Sequence, residues 1–295
     1  TNAAMGPDGS FARLSDTTAP SVLSVTSTAK DSTYGIGSII PINVNFSEQI
    51  FVESTSSTGP MLFLPDVIRE MLHTSGSGTS SLIFNYTVEE GDEDSDLGYV
   101  SSDFGLRIFQ SGSVKDAAGN DADLTLPAPG ATNSLSANKN IVIDGVKPVI
   151  SSFLPNENSF INKAKVSYSL SEKASSGSVT FTRTGGSADI NSPHIVALSG
   201  NELTAGAKEG IVLTNSPSLV EGAIYTISFD VKDLAGNSAN TQSNSNITFD
   251  LKAPTVSNLS YNDNAYLNVA SLPLSFSLSE IADSVIATYT RTGGS

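Results

Sequence analysis

The sequence predicts an all-β protein, because apolar residues alternate with polar ones, turn-forming residues separate these stretches, and several motifs recur along the chain. The alternation has a period of two, which is typical of antiparallel strands with one buried face. It is clearest in residues 40–46, 82–88, 225–231 and 272–278. Clusters of Gly, Asn, Asp and Ser lie between these stretches and supply turns. A single helical turn is predicted at residues 66–73, with an irregular connection between strands as the alternative.

The composition excludes several classes of protein. In 295 residues, 15 Lys and Arg stand against 30 Asp and Glu, so the net charge is −15. Phosphate backbones and anionic lipids repel such a chain, and we expect neither nucleic acid nor membrane insertion in this segment. Cysteine is absent and the only histidines are His73 and His194, which excludes thiolate zinc sites and three-histidine sites. No set of residues has the pattern of a catalytic centre, so we expect the chain not to be an enzyme.

Recurring motifs divide the chain into modules. Asp-x-x-x-Pro occurs three times before a strand, Ser-Glu closes an alternating stretch three times, Asp-x-Ala-Gly-Asn occurs twice, and Thr-Arg-Thr-Gly-Gly-Ser occurs at 182–187 and again at 290–295. The spacing of the later Asp-x-x-x-Pro motifs matches a sandwich of roughly 100 residues. We predict a tail or linker at residues 1–15, module 1 at 16–143, module 2 at 144–249, and at 250–295 only the first strands of module 3.

The order of these motifs carries a resemblance to a known family. It rests in module 1 on residues 46–48, 76–79, 84–88, 116–120 and 141–144, and in module 2 on residues 182–186, 192–194, 213–215, 225–230 and 233–237. The chain from Asp16 onward resembles the bacterial immunoglobulin-like repeats of large secreted surface proteins and adhesins. The resemblance implies immunoglobulin-like β-sandwiches arranged end to end, in adhesin stalks or filaments often rigidified by calcium. The length of the third repeat makes the last sandwich incomplete. Residues 65–73 depart from the family, which has a short strand there.

In a seven-stranded sandwich, three motifs meet at one end of each module. The first strand leaves the N-terminal end, the second returns to it, and the sixth returns before the seventh departs. The linker Asp, the Glu of Ser-Glu and the Asp-x-Ala-Gly-Asn loop therefore lie together at what we call the N-terminal pole. The predicted metal ligands are Asp16, Glu48, Asp116 and Asn120 in module 1, Asp144, Glu172, Asp233 and Asn237 in module 2, and Asp250 and Glu280 in module 3.

Calcium is the ion that this set of ligands favours. Carboxylates brought within 4 Å repel one another by up to ~4 kcal/mol per pair at an effective dielectric constant near 20. A divalent cation converts that repulsion into coordination, and Ca²⁺ takes 6–8 oxygen ligands in flexible geometry. Magnesium demands stricter geometry, and zinc prefers nitrogen and sulfur. An ordinary metal-free turn, in which Asp bonds its own backbone, is the alternative for each loop.

Two weaker signals have simpler readings. Asp92, Asp94 and Asp96 match the opening of an EF-hand loop, but the glycine and glutamate that such a loop needs later are missing. We expect the acidic run at residues 89–96 to be a solvated loop at the pole opposite Asp116. The two histidines are expected to be surface or packing residues.

Three functions follow from these observations. The first is a non-catalytic, extracellular stalk or spacer of a bacterial surface adhesin, with joints stiffened by Ca²⁺ and neighbouring modules as its partners. The second is a subunit of a filament or surface layer, in which a strand from an identical chain completes the truncated module. The third is an accessory module of a secreted polysaccharide-active enzyme. A host or surface receptor or a glycan is a further possible partner of a surface protein.

Overall fold

The computed structural model describes residues 16–54, 58–64, 69–109, 112–260, 274–282, 284–288 and 290. The predicted tail at residues 1–15 lies outside the described residues, as do Leu272 and Pro273 of the fourth alternating stretch and residues 291–295 of the second Thr-Arg-Thr-Gly-Gly-Ser segment. Strands are the main regular structure of the described part, and its only α-helix is α1 (Leu135–Asn138), which Ser134 caps. The prediction of immunoglobulin-like β-sandwiches is confirmed by two modules with separate cores.

Module 2 is a sandwich of two sheets. One sheet has the order β11-β13-β16 and the other β12-β18-β17-β14-β15. The sheets pack through apolar side chains from both, and the rings of Tyr168 and Phe229 lie 4.4 Å apart between centroids. The alternation at residues 225–231 is confirmed, since Tyr225, Ile227 and Phe229 are fully buried. The strands are β11 (Ile150–Leu154), β12 (Phe160–Ile161), β13 (Lys165–Leu170), β14 (Ser176–Gly186), β15 (His194–Ala197), β16 (Gly206–Val212), β17 (Ala223–Lys232) and β18 (Gln242–Phe249).

Module 1 has the same plan with a larger first sheet. That sheet has the order β1-β3-β6-β5-β4-β8, with β9 paired to the far part of β3, and β2-β10-β7 forms the second sheet. Its core includes Ile40, Leu82 and Phe84. The strands are β1 (Val22–Ser27), β2 (Ser32–Tyr34), β3 (Ile39–Glu53), β4 (Gly59–Leu64), β5 (Arg69–Ser75), β6 (Thr79–Thr87), β7 (Glu93–Asp94), β8 (Leu106–Phe109), β9 (Ser113–Lys115) and β10 (Ile141–Asp144).

Two expectations for module 1 are wrong. The helical turn predicted at residues 66–73 is instead strand β5 from residue 69 onward, and residues 66–68 lie outside the described part. Strand β5 pairs with β4 on one side and β6 on the other, and these sheet hydrogen bonds outweigh the local helical pattern. The pair Ser47-Glu48 does not follow a strand but lies inside the 15-residue strand β3.

Module 3 is described as one short hairpin, β19 (Val256–Ser257) with β20 (Ser277–Leu278). Its apolar side chains are not covered by a second sheet within the described residues. Val256 is 57% exposed, whereas Ile150, the equivalent residue after the preceding Asp-x-x-x-Pro motif, is 6% exposed. The hairpin therefore repeats the start of module 2 without its core.

Candidate metal centres at the module poles

The linker aspartates adopt the same local turn in all three modules. In each, one carboxylate oxygen accepts a hydrogen bond from the backbone N–H two residues later, which fixes the side chain at the start of the module. The donors and distances are Thr18 to Asp16 at 3.0 Å, Val146 to Asp144 at 3.2 Å, and Lys252 to Asp250 at 2.9 Å.

A serine clamp places the glutamate beside this turn. In each module the serine of Ser-Glu accepts a side-chain hydrogen bond from a backbone N–H at the start of the first strand, and donates its own N–H to the carbonyl of that residue. The following glutamate is thereby held next to the linker. The pairs are Ser21 with Ser47, Val149 with Ser171, and Thr255 with Ser279.

The loop at residues 233–237 completes the pole of module 2. Asp233 is fully buried, and its carboxylate accepts hydrogen bonds from the backbone N–H and the side-chain amide of Asn237, both at 2.8 Å. Gly236 takes a φ of 94°, which closes the loop and favours glycine. The Asn237 amide also donates to the carbonyls of Asp144 at 2.7 Å and Val146 at 3.2 Å. The loop is thus tied to the linker as well as to itself.

These three elements bring Asp144, Glu172 and Asp233 together. One carboxylate oxygen of each lies within 4.8 Å of the others. Burial raises the pKa of Glu172, and the negative charges of Asp144 and Asp233 raise it further. The pKa of Asp144 is also raised, by burial first and then by repulsion, despite its hydrogen bond from Val146. No Lys or Arg of the described ranges lies within 4.0 Å of these carboxylates.

Module 1 assembles the equivalent set of residues by a different route. Asp16, Glu48 and Asp116 also place their carboxylate oxygens within 4.8 Å of one another. Their loop at residues 116–120 does not join the sixth and seventh strands as expected. It follows strand β9, which pairs with the extended end of β3, and then returns to the first strand through the bridge of Ser21 with Asp123. The longer β3 carries Glu48 to the same pole.

The pKa values in module 1 follow the surroundings of each carboxylate. Burial and the charges of Asp16 and Asp116 raise the pKa of Glu48. Burial would also raise the pKa of Asp116, but hydrogen bonds from Asn120, Gly119 and Ala118 outweigh it and lower the pKa. The charged form of Asp116 is therefore stabilised, whereas the charged form of Glu48 is destabilised.

The two asparagines predicted as metal ligands form hydrogen bonds between the loop and the linker in this structure. Asn120 donates its side-chain amide to the Asp116 carboxylate at 2.7 Å and to the carbonyl of Asp16 at 3.1 Å, as Asn237 does in module 2. The side-chain oxygen of Asn237 accepts the N–H of Ile36 in module 1 at 2.7 Å. Both asparagines join the loop to the linker, and the oxygens free to face a cation belong mainly to the carboxylates.

Module 3 shows two of the predicted residues near each other. Asp250 and Glu280 line one cavity of about 580 Å³, together with Lys163, Lys165 and Lys252. No third carboxylate joins them within the described residues. This pair is therefore an incomplete version of the other two clusters.

Sequence reasoning missed a fourth carboxylate at the pole of module 2. Glu93 in strand β7 lies directly opposite Asp144 in strand β10, and its charge raises the pKa of both Asp144 and Glu172. Glu93, Asp144 and Glu172 also line one cavity of about 590 Å³. The signal was the acidic run itself, which the predicted topology already put at the far pole of module 1, where module 2 begins.

The acidic run is only partly the solvated loop that we expected. Asp92 is 5% exposed, and its carboxylate accepts hydrogen bonds from the Tyr86 hydroxyl and the Glu89 N–H, both at 2.8 Å. Its carbonyl accepts the N–H of Gly145 at 2.6 Å. The run therefore folds back against the linker to module 2.

The histidines lie away from both clusters. His73 is in strand β5 and its pKa is lowered by burial. His194 contacts the buried carboxylate of Asp189 at 2.7 Å, and the Tyr225 hydroxyl donates to the same oxygen at 2.7 Å. These two hydrogen bonds, that from Tyr225 first, lower the pKa of Asp189. This network packs one end of module 2.

The donor chemistry of the two complete clusters fits a hard divalent cation. Each offers three carboxylates, at least one of them buried, with backbone carbonyls of the linker nearby. Oxygen ligands without nitrogen or sulfur suit Ca²⁺ and disfavour zinc. The residues present therefore fit the ion that the sequence predicts.

Comparisons with known proteins do not assign the chain to a family. No protein-family model matches the chain, and no curated protein matches it in sequence. A solved structure of the fibronectin(III)-like modules of CbhA from Clostridium thermocellum is similar over 78% of this chain and 97% of that chain, with 12% identity and a TM-score of 0.30. Within the described residues no helix is long and apolar enough to span a membrane. The assignment of the fold rests on the sheets and cores described above.

Proposed function

We propose that the chain is a non-catalytic, extracellular spacer of a bacterial surface adhesin, built from bacterial immunoglobulin-like modules whose joints are stiffened by Ca²⁺. The observation that carries the proposal is the composition of the module 2 pole. Asp144 belongs to the linker, Glu172 and Asp233 to the body of module 2, and Glu93 to module 1. A cation bound by these groups would join three parts of the chain that otherwise repel one another.

The electrostatics support this reading. Carboxylate pairs separated by 4–5 Å repel by about 3–4 kcal/mol each at an effective dielectric constant near 20. Burial is the largest cause of the raised pKa values of Glu172 and Asp144, and the repulsion between the carboxylates raises them further. Ca²⁺ would remove the repulsion and occupy 6–8 oxygen sites, some of them filled by water. In the spacer, each complete pole would bind one ion.

The substitution Glu172→Gln tests the proposal, since its effect should change sign with calcium. Without metal, Gln removes a repelled charge, and we expect the melting temperature of module 2 to rise. With Ca²⁺, it removes a ligand, and the calcium-dependent gain in melting temperature should be lost. Glu209→Gln, at an exposed position of strand β16, is the matched control and should change neither value.

Calorimetric titration completes the test. We expect Ca²⁺ to bind at two sites in the parent chain and at one in Glu172→Gln, with small-angle scattering showing a looser chain after chelation. A parent chain that releases no binding heat and keeps the same scattering profile and melting temperature after chelation would rule out the calcium part of the proposal.

Self-assembly is the second candidate, because no second sheet covers the apolar side chain of strand β19 within the described residues. Val256 is 57% exposed at the position where module 2 buries Ile150. A strand from an identical chain could pair with this hairpin and bury that face. Sedimentation should then show concentration-dependent association that Val256→Asp abolishes. Val149→Asp, at a residue equally exposed in module 2, is the control and should leave association unchanged; a strict monomer at all concentrations contradicts this function.

A further inference from the structure

The joint between modules 1 and 2 is closed by two glycines that approach the other module directly. Gly35, in the turn between β2 and β3, faces the pole loop of module 2: a Cβ placed there would lie 2.6 Å from Asn237 Oδ1 and 2.7 Å from the Ala235 carbonyl oxygen. Gly145, in the linker, faces module 1: a Cβ there would lie 2.2 Å from the Glu89 carbonyl oxygen. Contacts this short exclude any side chain.

Neither glycine is required by its own backbone. Neither has a φ in the left-handed region between +20° and +160°, so neither is held there by a backbone conformation that favours glycine. The three atoms nearest to a Cβ at Gly35 all belong to the neighbouring module. The glycines therefore serve the contact between modules rather than the fold of either one.

Hydrogen bonds and an ion pair hold the same contact. The N–H of Ile36, next to Gly35, donates to Asn237 at 2.7 Å, and the N–H of Gly145 donates to the Asp92 carbonyl at 2.6 Å. Lys147 Nζ lies 2.6 Å from Glu90 Oε2. These contacts need no metal ion, and they fix the two modules from both sides of the linker.

The next joint lacks both glycines. Leu251 follows Asp250 as Gly145 follows Asp144, and its side chain is 61% exposed while its N–H bonds to Glu221 at 2.5 Å. The strand pairing aligns Tyr34 of β2 with Ile161 of β12, so that Asn162 takes the place of Gly35.

The turn is also shorter in module 2. Only Asn162 and Lys163 separate Ile161 from Ala164, the buried residue that corresponds to Ile40 when the Ser-Glu motifs are aligned, whereas five residues separate Tyr34 from Ile40. The cavity of about 580 Å³ lies against this shortened turn and is lined by Asn162 and Lys163 as well as by Asp250. The element that closes the first joint is missing there.

We propose that the turn carrying Gly35 and Ile36 is a docking element for the pole loop of a following module. It locks modules 1 and 2 into one rigid body, while the joint to module 3 cannot close in the same way and acts as a hinge. The proposal rests on the module architecture and not on calcium, although it deepens the spacer function by saying which joint is fixed.

Distance measurements between spin labels test this directly, because the chain has no cysteine of its own. Labels at Asn85→Cys and Glu209→Cys report the first joint, and labels at Glu209→Cys and Ser257→Cys report the second. A pair of labels inside module 2, at Ala188→Cys and Glu209→Cys, gives the width of the distance distribution that a rigid body produces. We expect the distance distribution across the first joint to match that width, and the distribution across the second joint to be clearly broader.

Substitutions at the two glycines test whether they are the cause of the rigid first joint. Gly35→Ala and Gly145→Ala should each abolish the narrow distance peak of the first joint without changing the melting temperature of either module. Gly98→Ala is the control, since a Cβ there meets no atom closer than 3.8 Å. A narrow peak that survives both glycine substitutions, or a second joint as narrow as the first, overturns the proposal.

Measuring each sample with Ca²⁺ and with chelator distinguishes the docking proposal from the calcium proposal. If chelation leaves the parent peak narrow while Gly35→Ala broadens it, the docking element is supported and calcium stiffening is not. If chelation broadens the parent peak while Gly35→Ala keeps it narrow in Ca²⁺, calcium stiffening is supported and the docking element is rejected.

Discussion

Ser171 and Val149 exchange two hydrogen bonds: the Val149 N–H donates to Ser171 Oγ at 2.8 Å, and the Ser171 N–H donates to the Val149 carbonyl at 3.0 Å. The clamp fixes the residue that follows, Glu172, against the linker. Ser171→Ala removes the side-chain bond, and we expect the free energy of unfolding of module 2 to fall by about 1 kcal/mol. Chemical denaturation measures the change.

The same substitution should weaken calcium binding, because Glu172 loses its fixed position. Ser151→Ala, at an exposed position of strand β11, is the control for both measurements. If Ser171→Ala lowers stability but leaves the calcium affinity unchanged, the clamp stabilises the module without positioning a ligand.

The side chain of Asn237 is buried, and we expect its substitution to lower the stability of module 2 strongly. Asn237→Asp loses the amide that donates to Asp144 and Val146, and it adds a charge beside the buried Asp233. We expect a loss of about 3 kcal/mol or more in the free energy of unfolding, as for an uncompensated buried charge. Asn240→Asp adds the same charge at an exposed site and should have little effect.

The buried Glu202 is a structural carboxylate outside the metal clusters. It is 8% exposed, and its two oxygens accept hydrogen bonds from the N–H groups of Ser199 at 2.7 Å and Thr214 at 2.8 Å. Glu202→Gln turns an amide donor toward one of these donors, and we expect a loss of about 1–3 kcal/mol. Glu209→Gln is the exposed control in the same denaturation experiment; equal stability of both variants would contradict the role.

The stability of metal-free module 2 should pass through a maximum in weak acid. The pKa values of Glu172 and Asp144 are raised. Their contribution to the stability of module 2 is therefore present at low pH and is lost as pH rises through those raised values. The pKa values of Glu202 and Asp189 are lowered by hydrogen bonds, so their contribution is lost as pH falls below about 4. The two effects oppose each other.

Melting curves at a series of pH values, with and without Ca²⁺, measure this balance. Because bound Ca²⁺ needs deprotonated carboxylates, the gain in melting temperature on adding it should grow with pH and vanish in acid. A calcium gain that is the same at all pH values would contradict the assignment of Glu172 and Asp144 as ligands.

The fold and the meeting of the carboxylates could be predicted from the sequence because both depend on local patterns that repeat. Period-two alternation specifies strands, and the direction of successive strands decides which motifs share a pole. Residues 66–73 show the limit, since the apolar spacing of Met71 and Leu72 fits a helix as well as a strand. Only the pairing of β5 with its two neighbours decides between them.

Contacts between modules could not be predicted from the sequence. Glu93 lies in an acidic run that has no motif in common with the poles, and only the pairing of β7 with β10 places it opposite Asp144. Likewise, Gly35 looks like any glycine in a turn until the neighbouring module is present. A single module's pattern contains no information about the surface that the next one presents.

The position of Glu93 has a consequence for any shortened, lengthened or rearranged version of this chain. Glu93, beside the linker at Asp144, comes from the domain before it, so a copy of module 2 placed after a different neighbour would keep its sandwich and lose part of its junction. The indivisible building block is thus the end of one domain together with the beginning of the next.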